Sequence, residues 1–181
     1  YVKFIGVKGS KVKLSGGAPY AICIDNQSIV TMEKLDVENT AGGGITIAQN
    51  GTLVINDCKF INSGTGLYSN NGKLFIDGNS VFESNAVTIY IGIGEMYLLD
   101  GRIKGQQPLR SLGASIYLLG GKLLSNDNSN EVIYIWPISG NSRIYFGDTK
   151  LETCNGMKKQ IYIDAEKEVL HFMNKGEIVN Y

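Results

Sequence analysis

An aliphatic–tyrosine–aliphatic slot recurs along this chain, and it restricts the fold more than any other feature. Tyr90, Tyr117, Tyr134 and Tyr162 each stand between two aliphatic residues, and Tyr68 follows Leu67. The steps between these five tyrosines are 22, 27, 17 and 28 residues. A recurrence on the order of 20 to 50 residues marks a repeat architecture. In a strand the flanking residues point to one face and the middle residue to the other. The slot therefore predicts aliphatic side chains turned inward and tyrosines turned outward.

Around this slot three apolar columns emerge. The first is Ile22-Ile24, Ile45-Ile47, Leu67, Ile89-Ile91, Ile116-Leu118, Ile133-Ile135 and Ile161-Ile163. The second is Val30-Met32, Leu53-Ile55, Leu74-Ile76, Met96-Leu98, Leu123, Ile144-Phe146 and Val169. The third is Leu35 or Val37, Phe60, Phe82, Ile103, Leu151 and Ile178, and Val2/Phe4 with Val12/Leu14 make a first rung. Turn formers separate the columns. Asn50-Gly51, Asn71-Gly72, Gly92 to Gly94, Gly120-Gly121 and Gly140-Asn141 lie between the first and second. Asn56-Asp57, Asp77-Gly78, Asp100-Gly101, Asn126-Asp127 and Gly147-Asp148 follow the second. These residues supply left-handed or Asx-type backbone geometry.

Asn-Gly between alternating strands is also a hairpin signal, which would build a propeller or meander. Three short strands per repeat fit better in a coil that advances one strand spacing, about 4.8 Å, per turn. The expectation is all-β: a single-stranded right-handed parallel β-helix of roughly 7–8 rungs, three short strands per rung. It covers residues 1–181 as one domain, with 157–181 as an irregular rung or cap, since solenoid ends need a polar cover. Two irregularities are expected: an extra loop at Gly105 to Ser111, and a rung over 119–130 without its third apolar residue. The turn at Trp136-Pro137-Ile138 is read as lengthened.

The stretch from Ala41 to Phe60 resembles the repeat of right-handed parallel β-helices of the pectin-lyase-like fold in bacterial surface proteins. It is most similar to adhesins of the polymorphic outer-membrane-protein type. Their repeat pairs a Gly-Gly-Ala-Ile-like motif with Phe-x-x-Asn. Gly42-Gly43-Gly44-Ile45 comes near the first and Phe82-Glu83-Ser84-Asn85 matches the second, while Phe60-Ile61-Asn62-Ser63 has its Asn one place early. The likeness is clearest over 41–105. It implies a passenger or stalk region used for adhesion, at the bacterial cell surface or outside the cell.

Composition narrows the partners. Lysine and arginine number 17 and so do aspartate and glutamate, which gives no electrostatic footprint for nucleic acid. No run of about 18 apolar residues is present to insert in a membrane. The chain opens at Tyr1 without Met, and the expectation is a piece of a longer protein. Cys23, Cys58 and Cys154 match no disulfide framework or zinc spacing and read as small apolar fillers.

The outward aromatic columns support a structural scaffold and also offer a candidate binding face. Its residues are Tyr68, Tyr90, Tyr117, Tyr134 and Tyr162, with Tyr97, Tyr145 and Trp136 beside them. A second outward slot runs Val54, Phe75, Tyr97, Leu124 and Tyr145. Soluble proteins rarely expose large apolar patches, so flat rings offered to a host-surface glycan or protein are one reading. Stacked side chains that only stabilise neighbouring strands are the other. The Asp57, Asp77, Asp100, Asp127 and Asp148 column reads as turn chemistry, and no metal or other cofactor is expected.

The main rival is a carbohydrate-active enzyme of the pectin-lyase-like fold, a lyase or hydrolase. Arg102-Ile103-Lys104 is similar to a triplet of its polygalacturonase branch, but the Asp-Asp pair and Gly-His-Gly of that branch are missing. Asp100, Arg102 and Arg110 are the catalytic candidates available, and His171, the one histidine, is assigned no role. A third reading is a phage tailspike module. Threonines 31, 46, 52, 65, 88, 149 and 153 fall in no single column, which sets an ice-binding coil aside.

Overall fold

The computed structural model describes residues 1–7, 11–14, 20–39, 43–62, 64–84, 86–126, 131–136, 142–153, 161–163, 170–174 and 177–179. The chain runs β1 (Val2–Ile5), β2 (Lys11–Leu14), β3 (Tyr20–Ile24), β4 (Ile29–Glu33), β5 (Asp36–Asn39), β6 (Gly43–Ala48) and β7 (Thr52–Asn56). It continues with β8 (Lys59–Asn62), β9 (Leu67–Asp77), β10 (Val81–Ser84), β11 (Val87–Leu98), β12 (Arg102–Gly105), β13 (Gln107–Leu118) and β14 (Lys122–Ser125). The last strands are β15 (Ile133–Ile135), β16 (Arg143–Phe146), β17 (Lys150–Thr153), β18 (Ile161–Ile163), β19 (Leu170–Asn174) and β20 (Glu177–Val179). No helix occurs among the described residues, hence none long and apolar enough to cross a membrane.

From β1 to β19 each strand pairs in parallel with the equivalent strand one turn away, which is the wiring of a β-helix and not of hairpins. The strands lie on three faces. The first face carries β3, β6, β15 and β18, and the second carries β1, β4, β7, β16 and β19. The long strands β9, β11 and β13 bend from the first face into the second, so the two join as a 13-stranded sheet. The third face is a 7-stranded sheet of β2, β5, β8, β10, β12, β14 and β17. Turns through all three faces begin with β3 to β5 and end with β15 to β17. They are fewer than the roughly 7–8 rungs expected, because the two ends contribute partial turns. At the C-terminal end β20 folds back antiparallel on β19.

Period-two alternation makes the interior. In β7, β10, β12 and β14 every second residue is buried. Stacked by register, these residues form inward columns. One runs Leu53, Leu74, Met96, Ile116 and Ile144. Another runs Val37, Phe60, Phe82, Ile103, Leu123 and Leu151, with the Phe60 and Phe82 rings stacked 4.7 Å apart. Burying one such side chain contributes roughly 1.5–3 kcal/mol.

The register corrects the expected layout over residues 105–126. Leu109-Arg110-Ser111 is no extra loop. It lies in β13 on the first face, between Ile89-Tyr90-Ile91 and Ile133-Tyr134-Ile135. Ile116-Tyr117-Leu118 then belongs to the second face, beside Met96-Tyr97-Leu98. Leu123 supplies the third apolar residue that 119–130 was expected to lack. Gly120-Gly121 therefore takes the place expected of Asn126-Asp127. At the end of the chain β19 continues the second face through Leu170 and Phe172 in place of Val169, and Ile178 pairs with Met173 rather than joining the third face. Asn85, Asp127, Pro137-Ile138, Gly140-Asn141, Cys154, Met157 and Val169 lie outside the described residues.

The turns behave as their residue types demand. Asn50 and Asn71 hold positive φ of 63° and 62°. On the following turn Gly94 has φ 112° and faces Gly72, the residue after Asn71, in register. A Cβ on Gly94 would run into the Gly72 backbone. Strained backbone and collision add, so Gly94→Ala is expected to destabilise the coil by at least about 2 kcal/mol. Urea denaturation followed by circular dichroism checks this, and a loss below about 0.5 kcal/mol contradicts so tight an approach of turns.

Candidate functional site

Two outward rows of aromatic side chains run along the coil. Parallel pairing at about 4.8 Å places each residue beside its equivalent one turn on. On the first face the row is Cys23, Thr46, Tyr68, Tyr90, Arg110, Tyr134 and Tyr162. On the second it is Lys3, Thr31, Val54, Phe75, Tyr97, Tyr117 and Tyr145, with the backbone of His171 next in register. All the tyrosines in both rows are half-buried, between fully buried neighbours in most strands.

This placement corrects the expected membership. Tyr117 does not share a column with Tyr68, Tyr90, Tyr134 and Tyr162. Arg110 fills that slot, and Tyr117 stands between Tyr97 and Tyr145. Leu124, expected in the second row, sits on the third face between Lys104 and Glu152. Trp136 directly follows β15 and is 46% exposed. Tyr20 is an aromatic that the sequence reading did not assign. It is in register with Gly43, and its ring reaches Tyr68 at 6.0 Å between centroids. Cys23 is exposed, contrary to its expected role as a filler, while Cys58 is buried and burial pushes its thiol pKa up.

The two rows differ in how tightly they stack. On the second face the centroids of Phe75, Tyr97, Tyr117 and Tyr145 are 4.7, 4.5 and 4.6 Å apart, with interplanar angles of 6°, 2° and 5°. On the first face Tyr68–Tyr90 and Tyr134–Tyr162 are each 5.0 Å apart and tilted by 19° and 14°. Between those pairs the Arg110 guanidinium lies 5.6 Å from the Tyr90 centroid and 5.2 Å from that of Tyr134. It stacks as a ring would and adds a cation–π attraction of roughly 0.5–2 kcal/mol. In both rows the ring faces meet one another, so the rows offer ring edges and hydroxyls to the outside.

Electrostatics follow the same spacing. Lys73 and the Tyr97 hydroxyl both donate to Glu95 Oε2, at 3.0 and 3.1 Å. Lys3 pairs with Glu33 at 2.9 Å, Lys104 with Glu83 at 3.9 Å, and Lys122 with Glu152. Such exposed pairs are worth about 0–1 kcal/mol each. Among the described residues no carboxylate pairs with Arg110, and its Nε is buried without a hydrogen-bond partner. Desolvation by the neighbouring rings pushes the hydroxyls of Tyr20, Tyr90 and Tyr117 above the usual phenol value. Tyr97 is pushed up to about 12, first by desolvation and then by its bond to Glu95.

The acidic turn column is occupied by backbone chemistry. Asp57 Oδ1 accepts from Asn79 N at 2.9 Å, and Asp77 and Asp100 accept from Gly78 N and Gly101 N at 2.8 and 2.7 Å. Among the described residues no three His, Cys, Asp or Glu side chains converge. Arg102 is in register with Lys122 on the outside of the third face, and Asp100 lies in the turn before it.

A family model described as the right handed beta helix region matches residues 20–145. The chain belongs to that family. No curated protein and no solved structure matches it. Membership accounts for the winding of this right-handed β-helix and leaves the outward rows to be explained by their own chemistry.

Two outcomes are expected of the second row. Removing the middle ring deletes two stacking contacts of roughly 0.5–1.5 kcal/mol each, so Tyr117→Ala costs about 1–3 kcal/mol in denaturant unfolding while Tyr117→Phe is near neutral. The Tyr97 phenol is held neutral in the folded state up to about pH 12, above the unfolded value of 10.0. Its contribution is therefore complete below pH 10 and lost as pH rises toward 12. Tyrosine absorbance should show phenols ionising later in the folded than in the unfolded protein, and unfolding free energy should fall across that window. Identical titrations of the two states contradict the desolvated stack.

Proposed function

We propose that this β-helix is a stiff adhesive region of a bacterial cell-surface or secreted protein. It meets a host-surface glycan through the first-face row of Tyr68, Tyr90, Arg110, Tyr134 and Tyr162. The supporting observation is the unequal build of the two rows. Phe75, Tyr97, Tyr117 and Tyr145 stack closely and nearly flat, as a row that stabilises the coil would. The first-face row is looser, more tilted and broken by an unpaired cation. Its edges present phenol hydroxyls at regular intervals, a lining suited to a polyhydroxylated ligand.

Neither alternative gains comparable support. Acid–base catalysis needs two groups in convergent geometry. Asp100 is already engaged with Gly101 N, and Arg102 stands on another face from Arg110. A tailspike module would form a trimer, and no described feature favours one.

The test is binding of the purified protein to a glycan array and to host cells. Tyr68→Ala with Tyr134→Ala is expected to weaken binding by about tenfold or more, with the melting curve confirming a folded coil. Tyr117→Phe should bind as the parent does. Full binding by the first-face double variant overturns the assignment, and a trimer in light scattering without glycan binding favours the tailspike reading.

A further inference from the structure

We propose that Arg110 is the anion-recognition point of the first face, and that the ligand there is an acidic glycan carrying carboxylate or sulfate groups. The proposal deepens the glycan-binding reading above and rests on it. Arg110 is the one charged residue in its row, among Cys23, Thr46, Tyr68, Tyr90, Tyr134 and Tyr162. Stacking alone does not require a cation there, because tyrosine fills the slot on both sides. What arginine adds to a stacked plane is a permanent charge and outward-facing donors.

The site is held before any ligand arrives. The guanidinium carbon lies between the Tyr90 and Tyr134 rings, at 5.6 and 5.2 Å from their centroids. Its Nε is buried, which leaves the two terminal nitrogens as the outer edge. Among the described residues no carboxylate competes for them; Arg102 shares an unpartnered Nε but has no stacked rings beside it, whereas Lys3, Lys73, Lys104 and Lys122 each have an acidic partner. A fixed fork of N–H donors matches a planar carboxylate or two oxygens of a sulfate ester. Tyrosine rings one turn above and below, about 4.8 Å away on each side, offer hydroxyls to the sugar that carries the anion. A row of ring edges and hydroxyls suits a sugar chain better than a protein partner, whose anchors fill desolvated pockets.

The experiment measures binding of the full chain to hyaluronan oligosaccharides, which carry carboxylate only, and to chondroitin sulfate oligosaccharides, which add sulfate. Their carboxyl-reduced and desulfated forms serve as neutral counterparts. Wild type is expected to prefer at least one acidic form by about tenfold or more, and the preference should shrink as salt rises. Arg110→Tyr completes the ring column, so it keeps the fold and abolishes the preference. Arg110→Lys keeps the charge without the planar fork and retains only part of it. Which acidic form is preferred identifies the anion.

Equal binding of acidic and neutral forms by wild type overturns the proposal. So does an acidic preference that survives in Arg110→Tyr with an unchanged melting curve. If Tyr68→Ala with Tyr134→Ala meanwhile lowers binding to both forms, the glycan-binding reading stands without the anion site. Binding of an acidic peptide, and of no glycan, that disappears in Arg110→Tyr overturns the glycan as ligand.

Discussion

In-register parallel stacking is the constraint on which this structure depends. A coil that advances one strand spacing per turn, about 4.8 Å, sets every outward side chain directly beside its counterpart. Whatever occupies a position must tolerate its own kind, or a chosen complement, at that distance. Aromatic rings do, and centroid separations of 4.5 to 4.7 Å on the second face fall close to the strand spacing itself. Like charges do not. Lys73 accordingly meets Glu95 and Lys104 meets Glu83, each in register. The column Arg102, Lys122 and Lys150 keeps three cations in register, with Glu152 reaching across to the middle one.

The same constraint changes what an aromatic row can do. A lone exposed tyrosine offers a flat face to a sugar. A tyrosine in a column has both faces against its neighbours and keeps only its edge and hydroxyl for the outside. The raised values of Tyr90, Tyr97 and Tyr117 carry the same message, since each phenol is partly desolvated by the rings beside it. Contact chemistry on such a coil is a chemistry of edges. A ligand recognised there is read by hydrogen bonds and charge at strand-spaced intervals.

Much of the coil was legible in the sequence because its determinants are local. Alternation within Leu53-Val54-Ile55 or Ile144-Tyr145-Phe146 states which residues face inward. Asn50-Gly51 and Asn71-Gly72 mark a bend by needing positive φ. The misreading came at one turn, where local chemistry departs from the pattern while register does not. Leu109-Arg110-Ser111 has a single aliphatic residue, as Leu67-Tyr68-Ser69 does with its own buried serine in the same column, but it also has an arginine in the tyrosine slot. Pro108 beside it reads as a loop. Taking Tyr117 for the missing member shifted the next strands by one face. The steps of 27 and 17 residues around Tyr117 already carried the signal. Through Arg110 the column proceeds by 22, 20 and 24 residues from Tyr68 to Tyr134, much closer to an even coil. The register of the last strand could not be anticipated in the same way, because β20 pairs antiparallel and leaves the repeat.

A coil of this kind explains most of its surface without reference to any ligand, and that limits where function can be sought. A tyrosine between tyrosines satisfies a stacking rule, and an aspartate in a turn satisfies a backbone amide. Neither residue by itself argues for a partner. The informative positions keep the register and break the chemistry. Arg110 is such a position: it preserves the stack, attracts the rings on either side, and adds a charge that a tyrosine there would not bring. Nothing among the described residues neutralises that charge. The acidic ligand proposed for the first face would supply the negative charge that no described residue places beside it.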